Sequence, residues 1–196
     1  MKTVSDSQLW DEFLKGSDTA FETIYLQYVN VLYNYGRQFT RNDDLVRDSV
    51  QELFCELIQN RERLGTTTSI KFYLLASIRN KLVRKVKHED KFQSLQDFGG
   101  DFQIDFACDS DILRDLNLNQ SGEMLKEAFE KLPAKQREAI LLYFYEDVSY
   151  EEIAKIMEMT KVKSARALIY RALDSLQQIF NRGEKYSYPW EYPLVG

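Results

Sequence analysis

The feature that most constrains the fold is the spacing of apolar residues, which recur every three to four positions along most of the chain. Such a period of about 3.6 residues is typical of helices that each bury one face. Three successive segments carry it, at Phe21, Ile24, Tyr25, Tyr28, Val31, Leu32, Tyr35 and Phe39, at Val46, Val50, Leu53, Phe54 and Leu57, and at Leu74, Leu75, Ile78, Leu82 and Val86. The 196 residues contain only three prolines, the residue that most strongly breaks a helix. The sequence therefore predicts an all-α protein.

A change in composition divides the chain into two helical parts. Residues 93–122 are acidic, rich in Asp and Asn, and lack a sustained apolar period, which is the composition of a linker with room for one short helix near 112–118. A second helical block is predicted to begin at Leu132–Pro133, because proline suits a first helical turn. The predicted organisation is two small helical domains, 1–92 and 123–182, an acidic linker, 93–122, that can keep them apart, and an aromatic and proline-containing tail, 183–196.

The net charge of −5 hides an alternation of acidic and basic segments. Residues 61–92 hold nine Lys or Arg against three Asp or Glu, whereas residues 93–131 hold three against nine. Residues 1–60 are acidic as well, with five basic and ten acidic side chains. Because local charge decides where a polyanion docks, an acidic protein of this kind can still bind nucleic acid.

The composition disfavours catalysis, metal binding and membrane insertion. One histidine, His88, and two distant cysteines, Cys55 and Cys108, provide neither a disulfide framework nor a zinc site. No motif brings a nucleophile together with its base, so we expect a protein that is not an enzyme and needs no cofactor. No apolar run approaches about 18 residues, and the N-terminus lacks a signal pattern, which predicts a cytoplasmic location without membrane insertion.

The stretch VSYEEIAKIMEMTKVKSARALIYRAL, residues 148–173, has the pattern of a helix-turn-helix. Ser149 and Glu152 form a capping box that begins one helix, and the pattern breaks at 158–160. In a helix-turn-helix the second helix enters the major groove of DNA with its first turns at the base edges. Its polar and basic positions are Lys161, Lys163, Ser164, Arg166 and Arg171. The alternative is an ordinary helical hairpin whose basic face is solvated.

A second basic surface is predicted on the helix that follows the hydroxyl-rich loop LGTTTS, residues 64–69. Asn80, Arg84, Lys87 and Lys91 share one face of that helix, and Arg79, Lys81 and Lys85 widen it. Such a stripe provides affinity for phosphates without sequence information, and Asn80 is suited to reading a base edge. Phe72 and Tyr73 stand beside the loop, where aromatic rings could stack on unpaired bases. The alternative is that both rings belong to the core and the charges are solvated.

Three motifs together resemble a bacterial sigma factor of the sigma-70 class, in the small two-domain extracytoplasmic-function (ECF) group. They are DSVQELF (48–54), IKFYLLASIRN (70–80) and LPAKQREAILLYFYEDVSYEEIAKIM (132–157). The resemblance covers residues 5–92 and 123–180. It implies a factor that binds core RNA polymerase and directs it to promoters by recognising their −35 and −10 elements. The implied partners are core RNA polymerase, promoter DNA and an anti-sigma factor, and the free protein is expected to be a monomer.

The resemblance also implies a role for particular residues. Those implied to dock on core polymerase are Asp48, Gln51, Glu52 and Phe54. Loop 64–70 corresponds to the element that captures a base flipped from the −10 region. The residues implied in −10 recognition and melting are Tyr73, Arg79, Asn80, Arg84 and Lys87. Those implied in −35 recognition are Lys161, Lys163, Ser164, Arg166 and Arg171.

The sequence departs from the family pattern at several points. Tyr73 stands where the family usually has tryptophan, and Arg84 stands where it often has an acidic residue. The recognition helix aligns with the commoner pattern only after a shift of one residue, and the tail YSYPWEYPLVG, 186–196, has no counterpart. Two other classes remain open: a stand-alone helix-turn-helix regulator that dimerises and binds DNA unaided, and an interaction protein that sequesters a polymerase or a sigma factor.

Overall fold

The computed structural model describes residues 5–89, residue 102 and residues 120–182, with side chains for residues 5–87, 102 and 125–180. We call residues 5–89 the first unit and residues 120–182 the second unit. The described residues form helices and connecting turns, so the predicted all-α class is confirmed. The short helix predicted near 112–118 and the tail 183–196 lie outside the described residues.

The first unit contains four helices, and its caps follow from the sequence. Ser5 and Gln8 form a capping box at the start of the first helix, which ends before Gly16 at a φ of +95°. The side chains of Ser17 and Asn42 cap the next two helices. The helices are α1 (Asp6–Leu14), α2 (Asp18–Gly36), α3 (Asp43–Asn60) and α4 (Ile70–Glu89), with a turn of 3₁₀ helix at Arg61–Arg63.

The apolar faces of these helices form a close-packed core. Trp10, Leu32 and Leu74 have no solvent exposure. Helix α2 meets α3 and α4 at Gly36, where a Cβ atom would lie 2.7 Å from Val46 Cγ1 and 3.1 Å from Leu82 Cδ1. Only glycine allows the three helices to approach so closely at this point.

The second unit begins earlier than the sequence predicts. Helix α5 (Gln120–Glu130) precedes Leu132–Pro133, and its buried Ala128 and Phe129 belong to an apolar cluster with Leu176 near the end of the chain's last described helix. Pro133 occupies the residue before α6. The remaining helices are α6 (Ala134–Ile140), which continues as a π-helical turn (Leu141–Tyr145), α7 (Tyr150–Ile156) and α8 (Val162–Arg182).

The two units pack against each other instead of being held apart. Helix α4 contacts α7, and one continuous cluster of buried apolar side chains extends from α1 to α8. Phe102 lies at this interface. Its ring packs against Phe39 and Tyr35, and its carbonyl accepts a 2.6 Å hydrogen bond from Arg137 Nε in the second unit. Phe102, the one residue of 90–119 that the structure describes, is therefore held between the two units.

Candidate nucleic-acid interface

The residues implied in polymerase docking lie on α3, but not all on its surface. Asp48, Gln51 and Glu52 are exposed and share one face, because residues three and four positions apart are neighbours on a helix. Phe54 is only 3% exposed and packs edge-on against the rings of Phe21 and Tyr25. Phe54 therefore packs α3 against the core. Of the four residues implied in docking, only the three polar ones are available to a partner.

Ion pairs connect this acidic face to the basic helix α4. Glu52 accepts hydrogen bonds from Lys85 at 2.8 Å and from Lys81 at 3.3 Å, and Lys81 also pairs with Glu56 at 2.6 Å. Lys85, with Lys81 beside it, lowers the pKa of the Glu52 carboxyl below its ordinary value. The acidic and basic surfaces are thus adjacent and share an edge.

A groove of about 580 Å³ opens beside these ion pairs, between α3 and α4. A nucleobase is well within the size range of ligands held by clefts of this volume. Its walls combine apolar, hydroxyl, amide and basic groups, from Leu53, Glu56, Leu57, Asn60, Leu64, Tyr73, Ser77, Asn80, Lys81, Arg84 and Lys85. Tyr73, Asn80 and Arg84, which the family resemblance implies in −10 recognition, are therefore brought together.

The hydroxyl-rich loop at the mouth of the groove is held by α1. Trp10 Nε1 donates a 2.9 Å hydrogen bond to the carbonyl of Gly65, and the indole ring lies 5.2 Å from the ring of Tyr73. The Asp6 carboxylate accepts the amide of Ile70 at 2.9 Å, and Ser69 Oγ accepts the amide of Phe72 at 3.1 Å. Sequence reasoning missed the roles of Trp10 and Asp6, because both partners lie more than 50 residues away.

Arg79 is the one residue of the implied −10 set that lies at the interface between the units. Its Nε is 2.6 Å from Glu138 Oε1 and its Nη2 is 3.4 Å from Oε2, and Tyr35 donates a 2.8 Å hydrogen bond to the same carboxylate. All three side chains are buried. Burial opposes the charge on Arg79, but Glu138 more than offsets this and raises the pKa of the guanidinium. The other two basic members of the set, Arg84 and Lys87, are exposed.

The predicted helix-turn-helix is present in the second unit. The capping box at Ser149 and Glu152 is formed, and Glu158 adopts a φ of +54° in the turn between α7 and α8. Five side chains implied in −35 recognition are exposed: Lys161, Lys163, Ser164, Arg166 and Arg171. The Arg166 guanidinium lies 5.1 Å from the centre of the Tyr150 ring, a cation–π contact that orients it on this surface.

The described residues offer neither a metal site nor a membrane-spanning helix. Among the described residues, no group of three or more histidine, cysteine or acidic side chains could hold a metal ion. Within the described ranges, no helix is both long enough and apolar enough to cross a membrane. Cys55 is an exposed free thiol, and Cys108 lies outside the described residues.

Two helical units with basic surfaces, one of them a helix-turn-helix, define a nucleic-acid-binding protein. Two family models match the chain: sigma-70 region 2 over residues 24–92 and sigma-70 region 4 over residues 122–176. Together they cover more than half of it. The chain belongs to the sigma-70 family of RNA polymerase sigma factors, in its ECF group. As such it directs promoter-specific transcription initiation by binding core RNA polymerase and recognising −35 and −10 elements.

Individual relatives agree with this assignment along nearly the whole chain. The ECF RNA polymerase sigma factor SigM of Bacillus subtilis is 24% identical over 83% of this chain and 96% of its own length. The RNA polymerase sigma factor CarQ of Myxococcus xanthus is 23% identical over 89% of this chain and 97% of its own length.

Two solved structures share the fold. CnrH, in complex with the cytosolic domain of CnrY, has a TM-score of 0.61 at 20% identity and covers 91% of this chain and 99% of its own. RpoE of Bartonella quintana, in complex with the anti-sigma factor NepR, has a TM-score of 0.57 at 19% identity and covers 84% of this chain and 98% of its own.

Proposed function

We propose specific roles for the two surfaces within sigma-factor function. The exposed face of α3, with Asp48, Gln51 and Glu52, binds core RNA polymerase. The groove between α3 and α4 takes an unstacked base of the −10 region, and the exposed face of α8 enters the major groove at −35. The corresponding boundaries are 1–92 for the polymerase and −10 domain, 93–122 for the linker, 123–182 for the −35 domain and 183–196 for the tail.

The observation that carries this proposal is the shared edge of the acidic face and the basic groove. Polymerase bound to α3 would lie directly beside DNA bound to α4, because Glu52 of one surface contacts Lys81 and Lys85 of the other. Unstacking a base costs a few kcal/mol, which stacking on Tyr73 and phosphate contacts along α4 can offset. None of these binding roles makes or breaks a covalent bond, so the proposed function requires no catalysis.

Charge reversal on α3 tests the polymerase contact. Asp48→Lys is the sharpest variant, because Asp48 is exposed and makes no ion pair with another described residue, so the substitution removes no internal contact. We expect it to weaken binding to core polymerase at least tenfold, or about 1.4 kcal/mol. Glu52→Lys is expected to lose binding as well, with some added loss of stability from its two lysine partners. The measurement is titration of labelled protein with core polymerase at fixed salt.

The matched control is Glu22→Lys, the same charge reversal at an exposed position of α2. It is expected to bind core polymerase as the native chain does. Circular dichroism of each variant separates lost contacts from lost folding. If folded Asp48→Lys and Glu52→Lys both bind with native affinity, α3 is not the docking face.

A protein inhibitor is the third proposed partner. The fold neighbour RpoE of Bartonella quintana was solved with the anti-sigma factor NepR. A partner of this kind would bind the free chain and prevent its co-elution with core polymerase. Purification of the chain from its native cells, followed by mass spectrometry and a competition assay with core polymerase, tests this. Failure of every co-purified protein to compete would contradict it.

A further inference from the structure

The contact between Arg79 and Glu138 has the geometry of an occupied anion site. Arg79 presents Nε and Nη2 to the two carboxylate oxygens at 2.6 and 3.4 Å, so the guanidinium fork is engaged from one side by a single anion. An arginine fork recognises carboxylate and phosphate oxygens in the same way. Arg79 is adjacent to Asn80, which lines the proposed base-binding groove. If the two units were apart, the ligand of Arg79 would be the DNA phosphate next to the base held in this groove.

The rest of the interface explains why Glu138 reaches this site. Lys71 Nζ contacts Glu146 Oε2 at 2.8 Å, and Lys155 lies 5.8 Å from the centre of the Phe72 ring. These contacts hold α4 against the second unit, near Tyr73. Phe102 fixes the linker at the same interface. The second unit therefore covers the Arg79 side of α4, while the groove side with Arg84 stays open to solvent.

The pair is also suited to exchange. Burying two charges costs desolvation that their mutual attraction only partly returns, so replacing the pair by a hydrated Glu138 and an Arg79–phosphate contact costs little, whereas removing Glu138 alone leaves Arg79 buried without a counter-charge. If the units separate, the Glu138 carboxylate becomes hydrated and Arg79 can bind a phosphate instead. Arg79 then still contacts one anion. A partner that binds only the open form then raises the affinity for DNA by the same factor by which DNA raises the affinity for that partner.

We propose that Glu138 acts as an internal phosphate mimic: in the free protein it occupies the anion site of Arg79, holds the two units closed, and keeps a DNA phosphodiester from that site. The inference rests on the proposed phosphate contacts along α4 and on the −10 role that the family resemblance implies for Arg79. Tyr35 is a positioning residue in this arrangement, because its hydroxyl donates to Glu138 Oε1, the oxygen that also accepts from Arg79 Nε, and so orients the carboxylate toward the guanidinium.

The test compares Glu138→Gln with Glu127→Gln, which removes the same charge from an exposed position of α5. The probe is a fluorescein-labelled 20-nucleotide single-stranded DNA of mixed sequence, titrated with free protein at a series of NaCl concentrations. We expect Glu138→Gln to bind at least fivefold more tightly than Glu127→Gln at low salt. Its plot of log K against log[NaCl] should be steeper by about 0.7, the contribution of one further phosphate contact on a single strand.

Two further variants keep the result specific. Arg79→Gln in the Glu138→Gln background is expected to remove the added slope, because the arginine that gains the phosphate is then absent. Tyr35→Phe leaves both charges in place and loses only one hydrogen bond to Glu138, so a smaller gain of the same sign is expected. The proposal therefore does not depend on one substitution that could impair folding.

Small-angle X-ray scattering of the same samples separates the two ways in which the proposal can fail. Native dimensions and native DNA affinity in Glu138→Gln would overturn the closing role of Glu138. An increased radius of gyration without a gain in DNA affinity would overturn Arg79 as a DNA ligand, and with it that part of the proposed function. Polymerase binding by the same variant, which leaves α3 unchanged, reports independently on the docking face.

Discussion

At the scale of single residues, Glu52 is where the two proposed surfaces meet. It is exposed to a polymerase partner on α3, yet its carboxylate is engaged by Lys85 and Lys81 of the DNA-facing helix. Exposed ion pairs contribute only about 0–1 kcal/mol, so a competing partner can replace them at little cost. Binding of polymerase at Glu52 would therefore release Lys85 for phosphate contacts and leave Lys81 with Glu56 as its remaining partner.

The first prediction at this scale concerns the acidity of Glu52. Lys85→Ala is expected to raise the pKa of the Glu52 carboxyl toward its ordinary value, because the hydrogen bond from Lys85 is the largest cause of its lowering. Since the folded pKa lies below the unfolded one, the pair stabilises the fold above the unfolded pKa. That contribution is lost as the pH falls through the folded pKa. Side-chain ¹³C NMR titration of Glu52 measures the shift.

Lys71→Ala is the matched control, because Lys71 lies on the same helix but pairs with Glu146 in the second unit. The pKa of Glu52 should not move in that variant. An unchanged Glu52 pKa in Lys85→Ala would mean that the ion pair does not persist in solution.

Residue-level prediction succeeded where the signal is local. Lys163, Ser164 and Arg171 are exposed, as expected from their place opposite the apolar face of α8, and so are Lys161, just before the helix, and Arg166, beside that face. Val162 is an exception: the 3.6-residue period places it on the same face as the buried Ala165 and Ile169, but it is 43% exposed, because it is the first residue of the helix. Arg79 could not be predicted as buried, since its partner Glu138 is 59 residues away and no local pattern marks it.

At the scale of elements, the helix-turn-helix depends on a well-defined start of α7. Ser149 Oγ accepts the Glu152 amide at 3.3 Å, and Glu152 Oε2 accepts the Ser149 amide at 3.1 Å. Val148 and Ile153, at the two staple positions, are both buried. This start fixes how α7 is placed against α8, and hence how α8 would be presented to DNA.

The second prediction follows from this capping box. Ser149→Ala should lower the free energy of unfolding by about 0.5–2 kcal/mol, the usual effect of losing an N-cap side chain. Urea unfolding followed by circular dichroism measures it, and hydrogen exchange should locate the loss in α7. Ser164→Ala is the control, since Ser164 is exposed within α8 and makes no capping bond there. Equal stability in both variants would mean that the cap does not anchor the helix.

The elements themselves were largely predictable, because capping residues and a sustained apolar period mark most of them. Ser17, Asn42 and Ser149, all of residue types that favour the N-cap position, each cap the start of a helix. Helix α5 was missed because it has few apolar residues, which follow directly on the acidic linker, and the sequence does not show that Leu125, Ala128 and Phe129 pack against α8. The groove was missed for a similar reason, since it exists only where α3 and α4 meet.

At the scale of the whole molecule, the two helical units pack into one body. The sequence predicts two separate domains because residues 93–122 have the composition of a linker. That composition does not show whether the helices on either side of it contact each other. In the structure the units share a continuous buried cluster and a buried ion pair. In the closed form Arg79 is buried and cannot contact DNA, whereas the exposed faces of α3 and α8 remain available to partners.

The last prediction tests the closed form directly. A carbodiimide joins a lysine amine to a carboxylate in direct contact, with loss of water and no spacer. Lys71 and Glu146, 2.8 Å apart across the interface, should therefore become amide-linked in the free protein, as should Lys81 and Glu56, 2.6 Å apart within the first unit. Peptide mass spectrometry quantifies both links. Lys71→Arg, which keeps the charge but cannot form the amide, identifies the interface link.

The two links should respond differently when the interface is weakened. In Glu138→Gln the Lys71–Glu146 link should fall several-fold, because breaking one side of a buried ion pair leaves Arg79 without its counter-charge and commonly costs about 3–5 kcal/mol. The Lys81–Glu56 link should stay constant, since both residues lie in the first unit. If core polymerase binds the open form, saturating polymerase should suppress the Lys71–Glu146 link in the native chain, because the two side chains are then no longer in contact. A Lys71–Glu146 link that persists undiminished in Glu138→Gln would show that the apolar contacts and Phe102 alone hold the units together, and that Glu138 has no part in closing them.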